Sequence, residues 1–486
     1  MSEKLVDETL EDEPKKKNII LVLLLGIIIG LAFTAINLGV FFDATLLDPY
    51  LTDIYKKQGI TVTSQAQFAF TAFKAVNTMF FLVSLIVGGV LSDHIRTRFG
   101  NRLPIIFSGL IISGLAYGLA PLIIPFSINL PIIGSIAPLY TGIFVYIFIA
   151  IGFAFIWAPS YALLSDLFTK DERATVAMLF AFLSSLGTAL GIGLSGFSFE
   201  VVMYGIGLVF IIIAFILLLF VPKKNPKYIP ESGVVEDIKN APKYLYELTQ
   251  GSGDNKGDKS VLFMFLVQIC WGVASFLLIN NFANFTTALN NPNNDPEPPL
   301  PLTLGMDGQD AFLFLGVIGI LLAGPIIFMI GKIGKTKSAM IGSLVMGFAT
   351  FLFAQGAFWN FYGFIVIILL AGGAVVLIQT VTIALPADLV PKGKEGMFMG
   401  LFVVAFNFLN PVIAGASLLV IDPNNKITGF TNLFLIITIF EFIAVGLLTF
   451  VHYEDVVEEE YNSMRRNFFI MKEKINSYKD RIRRRK

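Results

Sequence analysis

The sequence predicts an all-α membrane protein in which twelve transmembrane helices form two six-helix, pseudo-symmetric bundles. Three observations lead to this fold class: an apolar composition, the sidedness of the basic residues, and an internal repeat. Of the 486 residues, 55% are hydrophobic and only 14% are charged, whereas a soluble protein carries about a quarter charged residues. We expect the surplus apolar surface to face lipid, which a helix of about 20 apolar residues can span.

Apolar runs between charged or Pro/Asn-rich breaks divide the chain into twelve spans. They are predicted near residues 19–42, 66–91, 103–125, 140–165, 173–197, 201–221, 260–288, 311–330, 338–356, 360–386, 395–420 and 430–451. The polar stretch between the sixth and seventh spans is interpreted as a linker. The expected domains are an N-tail (1–18), a first bundle (19–221), the linker (222–259), a second bundle (260–452) and a C-tail (453–486). No cleavable signal peptide is recognised, so we expect the first span to be retained.

Lys and Arg residues are confined almost entirely to one side of these spans. If the amino terminus is inside, the inner segments hold 31 of the 35 basic residues, the outer loops hold three, and Lys74 lies within a span. Basic loops stay on the cytoplasmic side of a membrane. The pattern therefore predicts a multi-pass protein of the cell membrane with both termini in the cytoplasm. We call the side that carries these loops the basic face.

The two halves also repeat each other. Asp166 ends the fourth span in a sequence similar to that around Asp388 at the end of the tenth, an offset of 222 residues. Gly100 after the second span aligns with Gly334 after the eighth, an offset of 234. The two offsets differ because the first half has extra residues in the outer loop at residues 127–138, where an insertion is tolerated. Duplicated six-helix units are an architecture of transporters.

Three motifs resemble those of the major facilitator superfamily. The sequence from Gly88 to Pro104, with its Arg-Thr-Arg-Phe-Gly core, resembles the loop 2–3 signature of that superfamily. Together with Pro159–Leu167 and Leu46–Tyr50, it is similar to the glycoside–pentoside–hexuronide and sucrose-transporter-like branch. The resemblance implies the major facilitator fold and secondary-active transport of a small neutral polar solute, sugar- or glycoside-like, by alternating access. A proton is the candidate coupling ion. The paired aspartates of the melibiose-type sodium symporters are absent from Phe81–Leu85.

The resemblance also implies that spans 1, 4, 7 and 10 line a central cavity. The candidate substrate-binding residues are the polar and aromatic ones at mid-depth: Asn37, Trp157, Ser160, Tyr161, Gln268, Trp271, Asn280, Asn281, Gln379 and Thr382. A polar group in hydrocarbon needs a hydrogen-bonding partner, either a ligand or a neighbouring helix, and for each residue both alternatives stay open. The set is rich in amides and poor in charge, which favours a neutral, hydroxylated solute.

Charged residues at the basic face are candidates for a gate. Asp93 is placed to cap the amino end of span 11, which begins near Glu395. Arg98 and Arg102 are expected near Asp166. The second half would repeat this arrangement with Lys332 or Lys337 near Asp388. We interpret these residues as a latch that breaks when the halves rock; the alternative is a solvated loop whose charges only set topology.

Three further ionisable residues lie within or near the spans. Asp43 and Lys74 are candidates for a proton-sensitive pair near the outer gate; the alternatives are a structural ion pair and a Lys74 side chain that snorkels outward. Glu441 on span 12 is expected to lie off the cavity and to be structural.

The other functional classes find little support. The chain has two histidines and one cysteine, so neither an enzyme centre, a metal site nor a cofactor is expected, and nothing indicates nucleic-acid binding. The partners expected are a small solute, the lipid bilayer and a coupling proton. An exporter of amphipathic compounds and a non-transporting receptor of the same fold remain the alternatives.

Overall fold

The structure, a computed structural model, describes most of the chain. The described residues are 18–57, 64–124, 128–130, 134–136, 138–194, 197–223, 232–250, 259–289, 317–318, 321–322, 325–326, 329–330, 332–356, 361–390, 393–410, 412–413 and 426–451. Within them, residues 41–57, 64–75 and 279–289 are described by their backbone alone. The predicted tails at 1–17 and 453–486 lie outside the described part.

Six long apolar helices form the first half of the molecule. They are α1 (Ile19–Lys57), α2 (Ser64–His94), α3 (Leu103–Ile123), α4 (Pro138–Leu167), α5 (Lys170–Gly193) and α6 (Phe199–Phe220). In the outer loop between α3 and α4, strands β1 (Ile128–Leu130) and β2 (Gly134–Ile136) form a short antiparallel hairpin. This hairpin lies where the sequence predicted an insertion.

The second half follows a helix that was not predicted. The linker contains α7 (Val234–Gln250), and the later helices are α8 (Ser260–Leu289), α9 (Lys335–Ala354), α10 (Phe361–Leu389), α11 (Glu395–Asn407) and α12 (Lys426–Leu448). Where span 8 is predicted, the described residues between 317 and 333 are helical. Among the described residues, ten helices are long and apolar enough to cross a membrane, and α11 is a shorter apolar helix. This arrangement agrees with the predicted fold class.

The outer surface of the helices is apolar. Leu219 and Ile20 are exposed over 72% and 67% of their surfaces, and many other large aliphatic and aromatic side chains point outward in the same way. Exposed apolar surface on this scale is not found on monomeric soluble proteins. The helices therefore present a surface suited to lipid, with small and aromatic residues packed inside.

Helix pairs join the halves at the basic face: α2 packs on α11, α5 packs on α10, and α4 contacts both α10 and α11. The first pair is held unusually close by glycine. A Cβ atom added to Gly89 would lie 2.2 Å from the carbonyl oxygen of Gly396, and one added to Gly400 would lie 2.7 Å from that of Leu85. Because these contacts are with backbone atoms, a larger residue at Gly89 or Gly396 would force the helices apart.

Helix α7 docks against both halves. Its residues Val234, Ile238 and Ala241 recur on one helical face. They contribute to a small apolar cluster with Val90 of α2 and with Met397 and the neighbouring residues of α11. The interpretation of residues 222–259 as a plain linker is therefore incomplete, since its central part is a helix that contacts both sides of the α2–α11 junction.

Candidate solute cavity and gate

A cavity lies between the two halves. Its wall is formed by α1, α4 and α5 from the first half and by α8 to α12 from the second, and the cavity volume is about 200 Å³. Ligand pockets commonly measure roughly 300–1,000 Å³, so this cavity lies below the usual range and is suited to a small solute rather than a large one. The residue on α11 that lines it closest to the basic face is Met399, four residues and about 6 Å along the helix from Glu395.

Six of the predicted substrate-binding residues line this cavity. They are Asn37, Trp157, Tyr161, Gln268, Gln379 and Thr382. They come from spans 1, 4, 7 and 10, as the family resemblance implied. Whether they bind a solute stays a prediction.

Several polar atoms on the cavity wall have no hydrogen-bond partner. Gln268 uses its amide nitrogen to donate to the backbone oxygen of Thr382, at 3.1 Å, which ties α8 to α10. Within the described part of the chain, Gln268 Oε1, Gln379 Oε1 and Thr382 Oγ1 are buried and unpaired. A buried polar atom without a partner costs about 1–3 kcal/mol. A ligand with hydroxyl groups would remove this cost.

Much of the cavity wall is apolar. The apolar lining residues include Val375, Val376, Ile378, Met399, Phe402 and Phe406, on α10 and α11. The wall therefore combines the amide and hydroxyl groups with aliphatic and aromatic groups.

The structure places two predicted residues away from the cavity. Ser160 is fully buried, and Trp271 is fully buried where α8 meets α9, with its indole N–H donating to Ser343 Oγ at 2.7 Å. Neither is part of the cavity wall. The position of each residue around the helix axis explains the difference. Trp271 is three residues after Gln268 on α8, and its side chain points toward α9 rather than into the cavity. The side chains of Asn280 and Asn281 lie outside the described residues.

Five polar residues of the wall were not predicted from the sequence: Ser184, Ser185, Thr188, Ser275 and Glu441. Three lie on α5 and one on α12, which were not expected to contribute. The four-residue spacing of Ser184 and Thr188, two polar residues on one helical face, was the available signal. Glu441, predicted to be structural and off the cavity, lines it instead.

A cluster of four charged residues joins the halves at the α2–α11 junction. We call Asp93, Arg102, Asp166 and Glu395 the first ion cluster. Arg102 is 1% exposed and forms a short ion pair with Asp93, donates from Nε to Asp166 at 2.9 Å, and approaches Glu395 at 3.4 Å. One guanidinium group thus links spans 2 and 4 of the first half to span 11 of the second.

Asp93 also caps helix α11. Its two carboxylate oxygens accept hydrogen bonds from the backbone N–H groups of Gly396 and Met397, both at 2.9 Å. The residue before the helix, Lys394, supplies no side-chain cap. A carboxylate at a helix amino terminus satisfies unpaired N–H groups and interacts favourably with the helix dipole. The capping contact expected from the sequence is present, and its role in gating remains to be tested.

A second ion cluster, formed by Arg173, Lys335 and Asp388, joins the halves at the α5–α10 junction. Asp388 accepts from Arg173 at 2.9 Å and from Lys335 at 2.6 Å, and its side chain is fully buried. Arg173 also donates to the backbone oxygen of Ala387, and Lys335 to that of Lys170. Gly100 and Gly334, which the repeat aligns, both have a positive φ, of 92° and 86°.

Three of the predicted gate contacts were wrong. Asp388 pairs with Lys335 and Arg173 rather than with Lys332 or Lys337. The reason is that α9 begins at Lys335, directly after the turn at Gly334, so this side chain is the one at the junction. Arg98 does not reach Asp166 either: it lies exposed on the Thr97–Gly100 turn and packs over the ring of Phe99. The side chains of Asp43 and Lys74 lie outside the described residues.

The sequence profile of the Major Facilitator Superfamily matches residues 33–409. The chain belongs to the Major Facilitator Superfamily. Members of this superfamily are membrane transporters and not enzymes, so the expectation of a multi-pass membrane transporter is confirmed, as are the twelve-span fold and its two bundles. No curated protein sequence matches the chain.

Three solved structures of the superfamily have a similar fold. The human organic anion transporter MFSD10 (TETRAN) is 15% identical, with 88% of this chain and 98% of that chain covered and a TM-score of 0.63. The proton:xylose symporter XylE, bound to 6-bromo-6-deoxy-D-glucose, is 16% identical, with 89% and 96% covered and a TM-score of 0.62. FucP in the outward conformation is 12% identical, with 88% and 98% covered and a TM-score of 0.60. Identities this low establish the shared fold alone.

Proposed function

We propose that the protein is a secondary-active carrier that moves a small, neutral, polar solute of the sugar or glycoside type by alternating access, with a proton as the coupling ion. One observation carries the proposal. Unpaired amide and hydroxyl groups of Gln268, Gln379 and Thr382 face a cavity between two bundles, and the ion clusters join those bundles toward the basic face.

The composition of the wall supports a neutral solute. Among the described lining residues there is no Lys, Arg or His, and the acidic residue is Glu441 alone. An anionic solute would leave water without an opposite charge to receive it, which is strongly unfavourable. Hydroxyl groups, in contrast, can pair with the free amide oxygens. The branch motifs around Arg96 and Asp166 point to the same solute class.

The ion clusters support a state that is closed at the basic face. They connect the halves through Arg102 with Glu395, and through Arg173 with Asp388. We infer that the clusters separate when the halves rock, which opens the cavity to the other side. From the charge asymmetry of the loops we infer that the basic face and both termini are cytoplasmic, and we propose the plasma membrane as the location of the carrier.

The test is transport by the purified protein in proteoliposomes. A panel of radiolabelled xylose, fucose, sucrose and methyl glucoside is assayed for saturable uptake and for counterflow. We expect Gln379→Leu to lower counterflow at least tenfold, because a solute hydrogen bond is lost, and the matched control Ser160→Ala to retain it. A folded wild-type protein without saturable counterflow of any panel member would contradict the proposal, and would favour a non-transporting receptor.

The apolar part of the wall favours a second candidate, an exporter of amphipathic compounds. Phe402, Phe406 and Met399 provide a surface that a rigid hydrophobic group could cover. Competition separates the two functions. If amphipathic dyes are transported and sugars neither compete nor exchange, the exporter is correct; if sugars exchange and the dyes do not compete, the sugar carrier is correct.

A further inference from the structure

The acidic side chain on the cavity wall, Glu441 of α12, has no assigned role. It is 2% exposed and lines the cavity beside α8 and α9. Its neighbours are close: a Cβ atom added to Gly347 on α9 would lie 3.3 Å from the Cβ of Glu441. A carboxyl group at this depth, inside a bundle, is uncommon and usually functional.

Among the described residues around Glu441 there is no opposite charge. The helices packed against α12 are α8 and α9, and no ion pair with Glu441 is formed within the described part of the chain. From α9 it is faced by the uncharged Ser343, and from α8 the nearest titratable group is the thiol of Cys270. A carboxylate without a cation carries a large desolvation cost here, whereas a protonated carboxyl group needs only hydrogen bonds.

A hydrogen-bond relay leads to one side of this carboxyl group. Trp271 donates its indole N–H to Ser343 Oγ at 2.7 Å, and the Ser343 hydroxyl group faces Glu441. The indole can only donate, so the serine proton is free to point to the carboxyl group. The other oxygen, Oε2, is buried and has no partner among the described residues. One oxygen is therefore held in place while the other is free to carry a proton.

We propose that Glu441 is the proton-binding site that couples solute movement to the proton gradient. This rests on the carrier function proposed above. In each cycle the carboxylate takes up one proton from water on the side to which the cavity is open, and releases that proton to water on the other side after the bundles rock. Protonation removes the buried charge, which allows the loaded cavity to close.

The test compares Glu441→Gln with wild type in two assays on one preparation. Glutamine mimics the protonated acid permanently, so counterflow of the active panel sugar should stay within threefold of wild type. Accumulation driven by an imposed pH gradient should fall at least tenfold, and solute-induced alkalinisation of the medium should disappear. The matched control is Glu200→Gln, because Glu200 is an exposed acid in the first turn of α6, and it should behave as wild type in both assays.

The two hypotheses fail differently. Absence of counterflow in folded wild-type protein contradicts the carrier function. Counterflow that is accompanied by unchanged pH-driven accumulation in Glu441→Gln overturns the assignment of Glu441 alone, as does wild-type uptake that ignores the pH gradient. If Glu441→Gln loses transport of a cationic solute while transport of neutral sugars is unaffected, the coupling role of Glu441 is also overturned. Glu441 would then be a binding residue for a basic group.

A second measurement covers the case in which Glu441→Gln does not fold. Wild-type protein is treated with dicyclohexylcarbodiimide, which reacts with protonated carboxyl groups in apolar surroundings, and the label is located by mass spectrometry. We expect Glu441 to be labelled and pH-driven uptake to be lost in proportion to the labelling. Uptake that survives complete labelling, or absence of label at Glu441, counts against the proposal.

Discussion

Helices α5 and α11 occupy equivalent places in the two halves, yet their amino termini are satisfied in opposite ways. The offset of 222 residues that aligns Asp166 with Asp388 also aligns Arg173 with Glu395. At the start of α5, Glu172 accepts a hydrogen bond from the backbone N–H of Thr169 at 3.0 Å, which is a contact within one turn. At the start of α11, the N–H groups bind a carboxylate from the other half of the molecule.

Because of this difference, the cap of α5 contributes to local helix stability, whereas the cap of α11 depends on the contact between the halves. The cap of α5 survives any rocking of the halves, because both of its residues move together. The cap of α11 exists only while Asp93 of α2 lies against Gly396. Both repeats therefore have this helix and its junction with the other half. Only the amino terminus of α11 depends on contact between the halves. The α2–α11 junction is the one whose loss should change conformation.

The two ion clusters also differ in their balance of positive and negative charges. The first ion cluster contains one cation, Arg102, and three carboxylates, whereas the second contains one carboxylate, Asp388, and two cations. Loss of Arg102 therefore removes the one cation of the first ion cluster and leaves Arg96 as the next positive charge that acts on its carboxylates, but loss of Lys335 still leaves Arg173 beside Asp388.

The largest effect is expected for Arg102→Ala. Removing one partner of a buried ion pair costs about 3–5 kcal/mol, which should separate the halves at the basic face. The assay is maleimide labelling of a single cysteine, Met399→Cys in a Cys270→Ser background, because Met399 is 1% exposed in the closed state. We expect labelling from the basic face to accelerate more than a hundredfold, and less than tenfold in the control Lys335→Ala. Equal rates in the two variants would contradict the asymmetry of the clusters.

An intermediate effect is expected for Asp93→Asn. The amide retains one acceptor oxygen but loses the charge and the second hydrogen bond to α11, and hydrogen bonds to charged groups contribute about 1.5–3 kcal/mol. In the same labelling assay we expect an increase of roughly tenfold or more. The matched control is Glu172→Gln at the start of α5, which should lower the unfolding temperature slightly and leave labelling unchanged. Similar labelling in both variants would show that the two caps are equivalent after all.

A smaller effect is expected for Arg173→Lys. Arg173 donates to Asp388 and to the backbone oxygens of Phe168, Ser165 and Ala387. Lysine keeps the charge but loses the planar set of donors, so the second ion cluster weakens without an unpaired acid. We expect labelling to rise two- to fivefold and pH-gradient-driven transport to fall by a similar factor. An effect as large as that of Asp93→Asn would place the breakable contact at the α5–α10 junction instead.

These comparisons also show what the sequence could reveal. The helices, the sidedness of the basic residues and the repeat follow from local composition, so the fold was predictable. The pairing of Arg102 with Asp166 followed from the family motif. The partner of Asp388 was not predictable, because it depends on the residue at which α9 starts, and boundaries shift by several residues.

Cavity positions depend on helix rotation in the same way. Gln268 and Trp271 are both polar-capable residues on α8, but one faces the cavity and the other faces α9. An apolar helix surrounded by protein and lipid has no strong amphipathic pattern from which its rotation could be determined. Glu441 was misplaced for this reason, since its cavity face could not be distinguished from its lipid face.

The smallest effect concerns helix α7, which has no counterpart in the other half and braces the α2–α11 junction. Asp237 on α7 is 2% exposed and accepts hydrogen bonds from Ser232 at 2.5 Å and from Tyr244 at 3.0 Å. His94 and Lys394 each lie 3.4 Å from it, on opposite halves. Burial raises the pKa of Asp237, but the hydrogen bonds from Ser232 and Tyr244 and the charge of Lys394 outweigh it, so the pKa lies below its usual value.

A lowered carboxyl pKa stabilises the docked helix at neutral pH, and this contribution is lost as the pH falls through the pKa of the docked state. We therefore expect hydrogen exchange of α7 amides, corrected for intrinsic rates, to be unchanged between pH 7 and pH 5 and to rise a few-fold by about pH 3. Asp237→Asn should raise exchange at pH 7 and pH 5 to about the level of the acidified wild type and remove the pH dependence. Exchange in this variant that still rises on acidification would assign the response to another group, and α7 would then contribute to the junction through its apolar face alone.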